Sequence, residues 1–111
     1  MKLQISELEG GIRLISLDGK LDSNGVYAVE VDFGRHCGGE KRRILVDLSR
    51  VSYISSIGIP LLVNTAKSVM SHGGKFALLS PQQEVMNVFE MVGVSRIIPI
   101  YYDIRTAKSS I

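Results

Sequence analysis

Cysteine is nearly absent from this chain of 111 residues, and Cys37 alone can form no internal disulfide. No Cys or His set stands at metal-ligand spacing, so a reducing, cytoplasmic setting is expected, with Cys37 packed as a small apolar side chain. Long hydrophobic runs are missing too. No apolar stretch approaches the roughly 18 residues that span a bilayer, and residues 1–7 lack a signal-peptide core, so no membrane insertion is expected. Charge of one sign is scarce: Lys and Arg number 13 against 11 Asp and Glu, a formal net charge of +2. The densest basic stretch, Lys41-Arg42-Arg43, has no aromatic residues interleaved. Nucleic acid is not an expected partner.

Catalytic signatures are lacking as well. His36 and His72 flank glycine turns outside any Ser-His-Asp arrangement, and no GxSxG elbow surrounds Ser55 or Ser56. The pairs Gly10-Gly11, Gly38-Gly39 and Gly73-Gly74 match neither the Walker pattern nor the dinucleotide fingerprint. Paired carboxylates of the glycosidase kind cannot be assigned, and the early strands carry no acidic cluster to hold magnesium as a receiver domain does. The expectation is a protein with no enzyme activity, no metal site and no cofactor.

What is present suits one compact domain over residues 1–111, with 45% hydrophobic and 22% charged residues. Alternating runs around Leu3 and Ile5, then Ile12, Leu14 and Leu17, predict a hairpin, and Asp18-Gly19-Lys20 reads as a break. Asp22, Ser23 and Asn24 offer helix caps, and Val26, Val29, Phe33 and Cys37 follow as one helical face ending at Gly38-Gly39. Short apolar runs at 44–48, 76–79 and 97–101 alternate with helical patterns, which predicts strands joined by helical crossovers in an α/β fold. From Ser56 onward, Ile59, Leu62, Val63, Ala66, Val69 and Met70 share a face suited to a sheet. Ser80 reads as the cap of a further helix, with Pro81 at its first position, Gln83 closing a capping box, and Val85, Val88, Phe89 and Val92 as its stripe up to Gly93. Residues 103–111 read as a terminal helix or frayed tail.

The segment Ser55-Ser56-Ile57-Gly58 places a hydroxyl where a strand gives way to a helix. An oxygen there can cap the helix, or it can receive a phosphate that the free amides and positive helix end would tolerate. A phosphate brings about −1.5 to −2 charges at neutral pH, so modification would act mainly at an interface. Ile57 and Leu61, beside Pro60 and Asn64, fall off the core face near the first turn and are candidates for a docking patch. Asp22, Ser23 and Asn24, together with Asp47 and Ser49, would converge with Ser56 at one sheet end if their strands are neighbours.

Three segments carry a resemblance: Gly19-Lys20-Leu21-Asp22-Ser23-Asn24, the run from Leu45 to Ile59 that includes Ser55-Ser56-Ile57-Gly58, and Gly73-Gly74-Lys75-Phe76-Ala77-Leu78-Leu79-Ser80-Pro81. Together they resemble the STAS domain of anti-sigma factor antagonists over nearly the whole chain. The resemblance implies a mixed β-sheet flanked by about four helices. It implies a non-catalytic member of a partner-switching circuit, bound when unmodified to a serine kinase anti-sigma factor, phosphorylated by it on the motif serine and restored by a PP2C-type phosphatase. That serine falls on Ser56. Two departures stand out, Ser55 where an aspartate usually precedes the target and Pro60 where a small glycine is common, and Ser55 is the alternative acceptor. The implied partner-binding residues are Asp22, Ser23, Asn24, Ser55, Ser56, Ile57, Gly58, Pro60, Leu61 and Asn64. Two other roles fit the same family: an unphosphorylated subunit scaffolding a transporter or stress-signalling complex, and a small-ligand sensor.

Overall fold

The computed structural model describes residues 1–111. Strands β1 (Lys2–Leu8) and β2 (Ile12–Leu21) form the expected hairpin, joined by a short 3-10 turn. There follow α1 (Ser23–Cys37), β3 (Arg43–Ile54), α2 (Gly58–Ser71), β4 (Lys75–Leu79), α3 (Gln83–Val92), a second 3-10 turn, β5 (Ile100–Tyr101) and α4 (Ile104–Ser110). The five strands pair in sequence order, β1 antiparallel to β2 and the rest parallel, giving a mixed sheet with four helices. Because each parallel crossover steps one strand in the same direction and such crossovers share one hand, α1, α2 and α3 are all carried to the same face.

That face holds the main core. Ile15, Leu17, Ile44, Val46, Leu48, Phe76 and Leu78 of the sheet pack against Val26, Val29, Phe33 and Cys37 of α1, Leu62, Ala66 and Val69 of α2, and Val85 and Phe89 of α3. Phe33 meets Phe76 edge to face with ring centroids 6.4 Å apart. Burial pushes the Cys37 thiol up to about 12, so this side chain is part of the packing. The opposite face is covered only at one end, where Ala107 and Ile111 lie over Ile12, Leu45, Ala77 and Leu79. His36 and His72 sit near helix ends, where the His36 carbonyl accepts a bond from Arg13 and the His72 ring contacts the Ser68 carbonyl.

Several elements depart from the sequence reading. Asp18-Gly19-Lys20 is no break: β2 runs through it to Leu21. Strand β3 continues six residues past Leu48, and its register against β2 shifts twice, each time with an extra residue on β3. Such bulges twist a strand and keep it paired where strict alternation fails. Helix α2 starts at Gly58, capped by Ile57 with no side-chain bond, so neither Ser56 nor Ser55 is its cap; Met70 faces solvent at its far end. Ser80 does not cap α3, because a positive φ and a bond from its amide to the Tyr101 carbonyl turn it toward β5. That helix begins at Gln83, Val92 is exposed, and Gly93 closes it in the left-handed conformation as expected. Residues 94–98 are a 3-10 turn and its exit, leaving only Ile100 and Tyr101 as strand, while Asp103 caps α4 by accepting from the Thr106 amide.

Candidate functional site

Parallel pairing makes β2 and β3 end side by side, with Leu21 opposite Ile54 as the last matched pair. The chain leaving β2 forms the start of α1, where the Asp22 carboxylate accepts from the Gly25 amide at 2.9 Å and the Asp22 carbonyl accepts from Val26 at 2.8 Å. The chain leaving β3 turns beneath it into α2. Ser55 donates to the Leu21 carbonyl from its amide at 3.1 Å and from its hydroxyl at 3.3 Å. The Ser55 hydroxyl accepts from the Ile57 amide at 3.3 Å, and the Ser55 carbonyl accepts from the Gly58 amide at 3.0 Å.

These two turns are pressed together through backbone. A Cβ on Gly58 would stand 2.7 Å from the Leu21 carbonyl oxygen and 2.8 Å from Ile54 Cγ1; within the first turn itself, one on Gly25 would stand 2.0 Å from the Lys20 oxygen. Only glycine fits at either place. Against this fixed base Ser56 is exposed, and its hydroxyl makes no hydrogen bond to the rest of the chain. The two adjacent serines therefore differ in kind: Ser55 is half-buried and bonded, Ser56 is free.

A shallow groove between α1 and α2 begins beside this turn, lined by Val26, Glu30, Ile57, Pro60, Leu61, Asn64 and Thr65. Ile57 stays 46% exposed and Leu61 is half-buried. Pro60 sits in the first helical turn, where a missing amide costs no bond. The structure thus brings together Ser55, Ser56, Ile57, Gly58, Pro60, Leu61 and Asn64 with the turn that bears Asp22, Ser23 and Asn24. The sequence reading missed Tyr27 and Val31, one helical turn apart on α1 and 82% and 74% exposed. Their signal was present: both fall off the Val26, Val29, Phe33 stripe as large apolar side chains with no core partner.

Asp47 and Ser49 do not join this cluster. Asp47 lies mid-strand opposite Ser16, about 20 Å back along β3 from its end, and accepts from the Ser49 amide at 2.9 Å. With Lys2, Gln4, Asp18 and Arg50 they line a polar hollow of about 340 Å³. The expected convergence with Ser56 fails because β3 is longer than its apolar run. No three His, Cys, Asp or Glu side chains come together to hold a metal ion, and no helix is long and apolar enough to cross a membrane.

A mixed five-stranded sheet with three helices on one face, and an exposed serine presented beside a groove of mixed apolar and polar lining, defines a small α/β domain. The family model described as the STAS domain matches residues 5–107, and the chain belongs to that family. Among similar proteins is BtrV of Bordetella bronchiseptica, provisionally described as an anti-sigma factor antagonist, 29% identical over 100 residues that cover 90% of this chain and 85% of BtrV. The fold is shared with an anti-sigma factor antagonist of Mycobacterium paratuberculosis, at TM-score 0.87 and 19% identity, over 98% of this chain and 92% of that one. It is also shared with unphosphorylated SpoIIAA, an anti-sigma factor antagonist, at TM-score 0.77 and 19% identity, over 98% of this chain and 96% of that one.

Proposed function

We propose that this chain is an anti-sigma factor antagonist that works by partner switching. Unmodified, it binds a serine kinase anti-sigma factor through the turn bearing Asp22, Ser23 and Asn24, the Ser56 turn, and the groove formed by Ile57, Pro60, Leu61 and Asn64, with Tyr27 and Val31 widening the same face. The kinase then transfers a phosphoryl group. Ser56 Oγ bonds to the γ-phosphorus of ATP as the bond to ADP breaks, and the hydroxyl proton passes to a base on the kinase. The added charge of about −1.5 to −2 sits at the rim of an apolar contact, where desolvation and repulsion oppose binding. A PP2C-type phosphatase hydrolyses the ester and restores the binding form.

The observation that carries this reading is the unbonded, exposed Ser56 hydroxyl standing on a rigid base beside the groove. A phosphate there touches no core residue, so the modification alters the surface and spares the fold. Similarity to proteins described as anti-sigma factor antagonists supports the choice of partner class.

The test uses the purified chain, ATP and an anti-sigma serine kinase encoded in the same genome. Site mapping should place one phosphate on Ser56, with Ser56→Ala unmodified. Ser56→Ala should bind the kinase within about two-fold of wild type, and Ser56→Asp should bind about 100-fold more weakly. Undiminished binding by Ser56→Asp would overturn the switch.

A further inference from the structure

The two neighbouring serines are separated by what their oxygens already do, and the Ser55 oxygen is engaged on both sides. It donates to the carbonyl that ends β2 and accepts from the Ile57 amide, each at 3.3 Å. The backbone of the same residue is committed as well, its amide to Leu21 at 3.1 Å and its carbonyl to Gly58 at 3.0 Å. Four bonds thus fasten residue 55 to β2 behind it and to residues 57 and 58 ahead of it. Ser56 is suspended between these anchors.

We infer that Ser55 is a positioning residue for phosphoryl transfer to Ser56 and is not itself an acceptor; this rests on the reading of Ser56 as the modified residue. A serine hydroxyl bonding the amide two residues on closes a local turn. Here that turn includes Ser56, so the Ile57 bond restricts rotation of the peptide that carries the acceptor. In-line transfer needs the attacking oxygen within about 3–3.5 Å of phosphorus, and misplacement by about 1 Å can cost on the order of 100-fold in rate. A turn held from both ends supplies that placement before the kinase arrives. Phosphorylating Ser55 instead would remove the hydrogen it donates to Leu21 and set an anion against the Leu21 carbonyl oxygen, which repels it.

The experiment compares wild type, Ser55→Ala and Ser55→Thr as substrates of the same kinase, varying substrate concentration and mapping the phosphate in each. For Ser55→Ala, kcat should fall at least about ten-fold while KM stays within about two-fold, because the loss is of acceptor placement and not of the docking face. Thr keeps the hydroxyl and should restore kcat to within about three-fold of wild type. Hydrogen exchange supplies the folding control: Val46 and Leu48 amides should be unchanged in Ser55→Ala, and the Ile57 amide should exchange at least about ten-fold faster. An unchanged kcat in folded Ser55→Ala, a loss that Thr does not restore, or phosphate on Ser55 of the wild type overturns the positioning role. No phosphate on either serine of the wild type overturns instead the reading of Ser56 beneath it.

Discussion

The turn from β3 into α2 and the turn from β4 into α3 begin alike, each leaving a parallel strand through serine, and in neither does the serine cap the helix. They end in opposite arrangements. At the β4 turn, Ser80 is consumed: its amide donates to the Tyr101 carbonyl at 2.7 Å, its hydroxyl reaches the Tyr102 carbonyl at 3.4 Å, and Pro81 is buried behind it. At the β3 turn the same duties fall on Ser55, and the next residue, Ser56, is released to solvent. A second serine is what separates a structural turn from one that can present a hydroxyl. The contrast also explains why only the β3 turn needs a glycine at its helix start, since the chain must pass under Leu21 to anchor Ser55.

The largest expected effect comes from disturbing that passage. Gly58→Ala places a methyl group against the Leu21 oxygen and Ile54, neither of which is the free end of a flexible chain, and should destabilise the fold by about 3 kcal/mol. At the corresponding start of α3, Gln82→Ala loses one exposed bond to the Ser49 carbonyl and should cost only about 0.5–1 kcal/mol. Urea unfolding of the two variants measures the difference. Equal losses would mean that the β3 turn is no more tightly built than its neighbour.

A smaller effect sharpens the comparison from the serine side. Ser80→Asp replaces a donor with an acceptor facing the Tyr102 carbonyl and should destabilise by about 1 kcal/mol. Ser56→Asp, in open solvent, should stay within about 0.5 kcal/mol of wild type. The same chemical change thus reads out as stability at one turn and as partner binding at the other. Thermal and urea midpoints without any partner check the first half of that statement.

How far the sequence carried these distinctions depended on whether a signal was periodic. The α1 face was legible because Val26, Val29, Phe33 and Cys37 recur at helical spacing and all four are buried, and Asp22 caps that helix as its residue type suggests. The second half of β3 was not, because its buried residues Leu48, Val51 and Ile54 recur every third position, a spacing produced by two bulges that matches no strand pattern. From that one error followed the misplacement of Asp47 and Ser49. The Ser55-Ser56 pair was legible as a site but not as two roles, since the bonds that distinguish them run to Leu21, 34 residues away in the chain. Tyr27 and Val31 were legible as what the α1 stripe leaves over, large apolar side chains outside its buried face, and the reading that fixed the stripe passed over them.

The smallest effect concerns acid. The Ser80 turn leans on Tyr101 and Tyr102, which lead directly into the Asp103 cap of α4, whereas the Ser55 turn leans on Leu21. Bonds from the Thr106 hydroxyl and amide hold the Asp103 carboxyl below its ordinary value of 3.8. A carboxylate with a depressed folded pKa contributes stability that is present above its unfolded value and is lost as pH falls through the folded one. Below 3.8, then, the cap should weaken and α4 loosen from its start. Amide resonances of Thr106 and Ser80 should shift together over that acid range, and Asp103→Asn should abolish the shared transition while leaving Ser55 and Ile57 unaltered. Were the Ser55 and Ile57 resonances to lose an acid transition in Asp103→Asn, the two turns would be coupled through the sheet, and the independence on which a local phosphate switch relies would be gone.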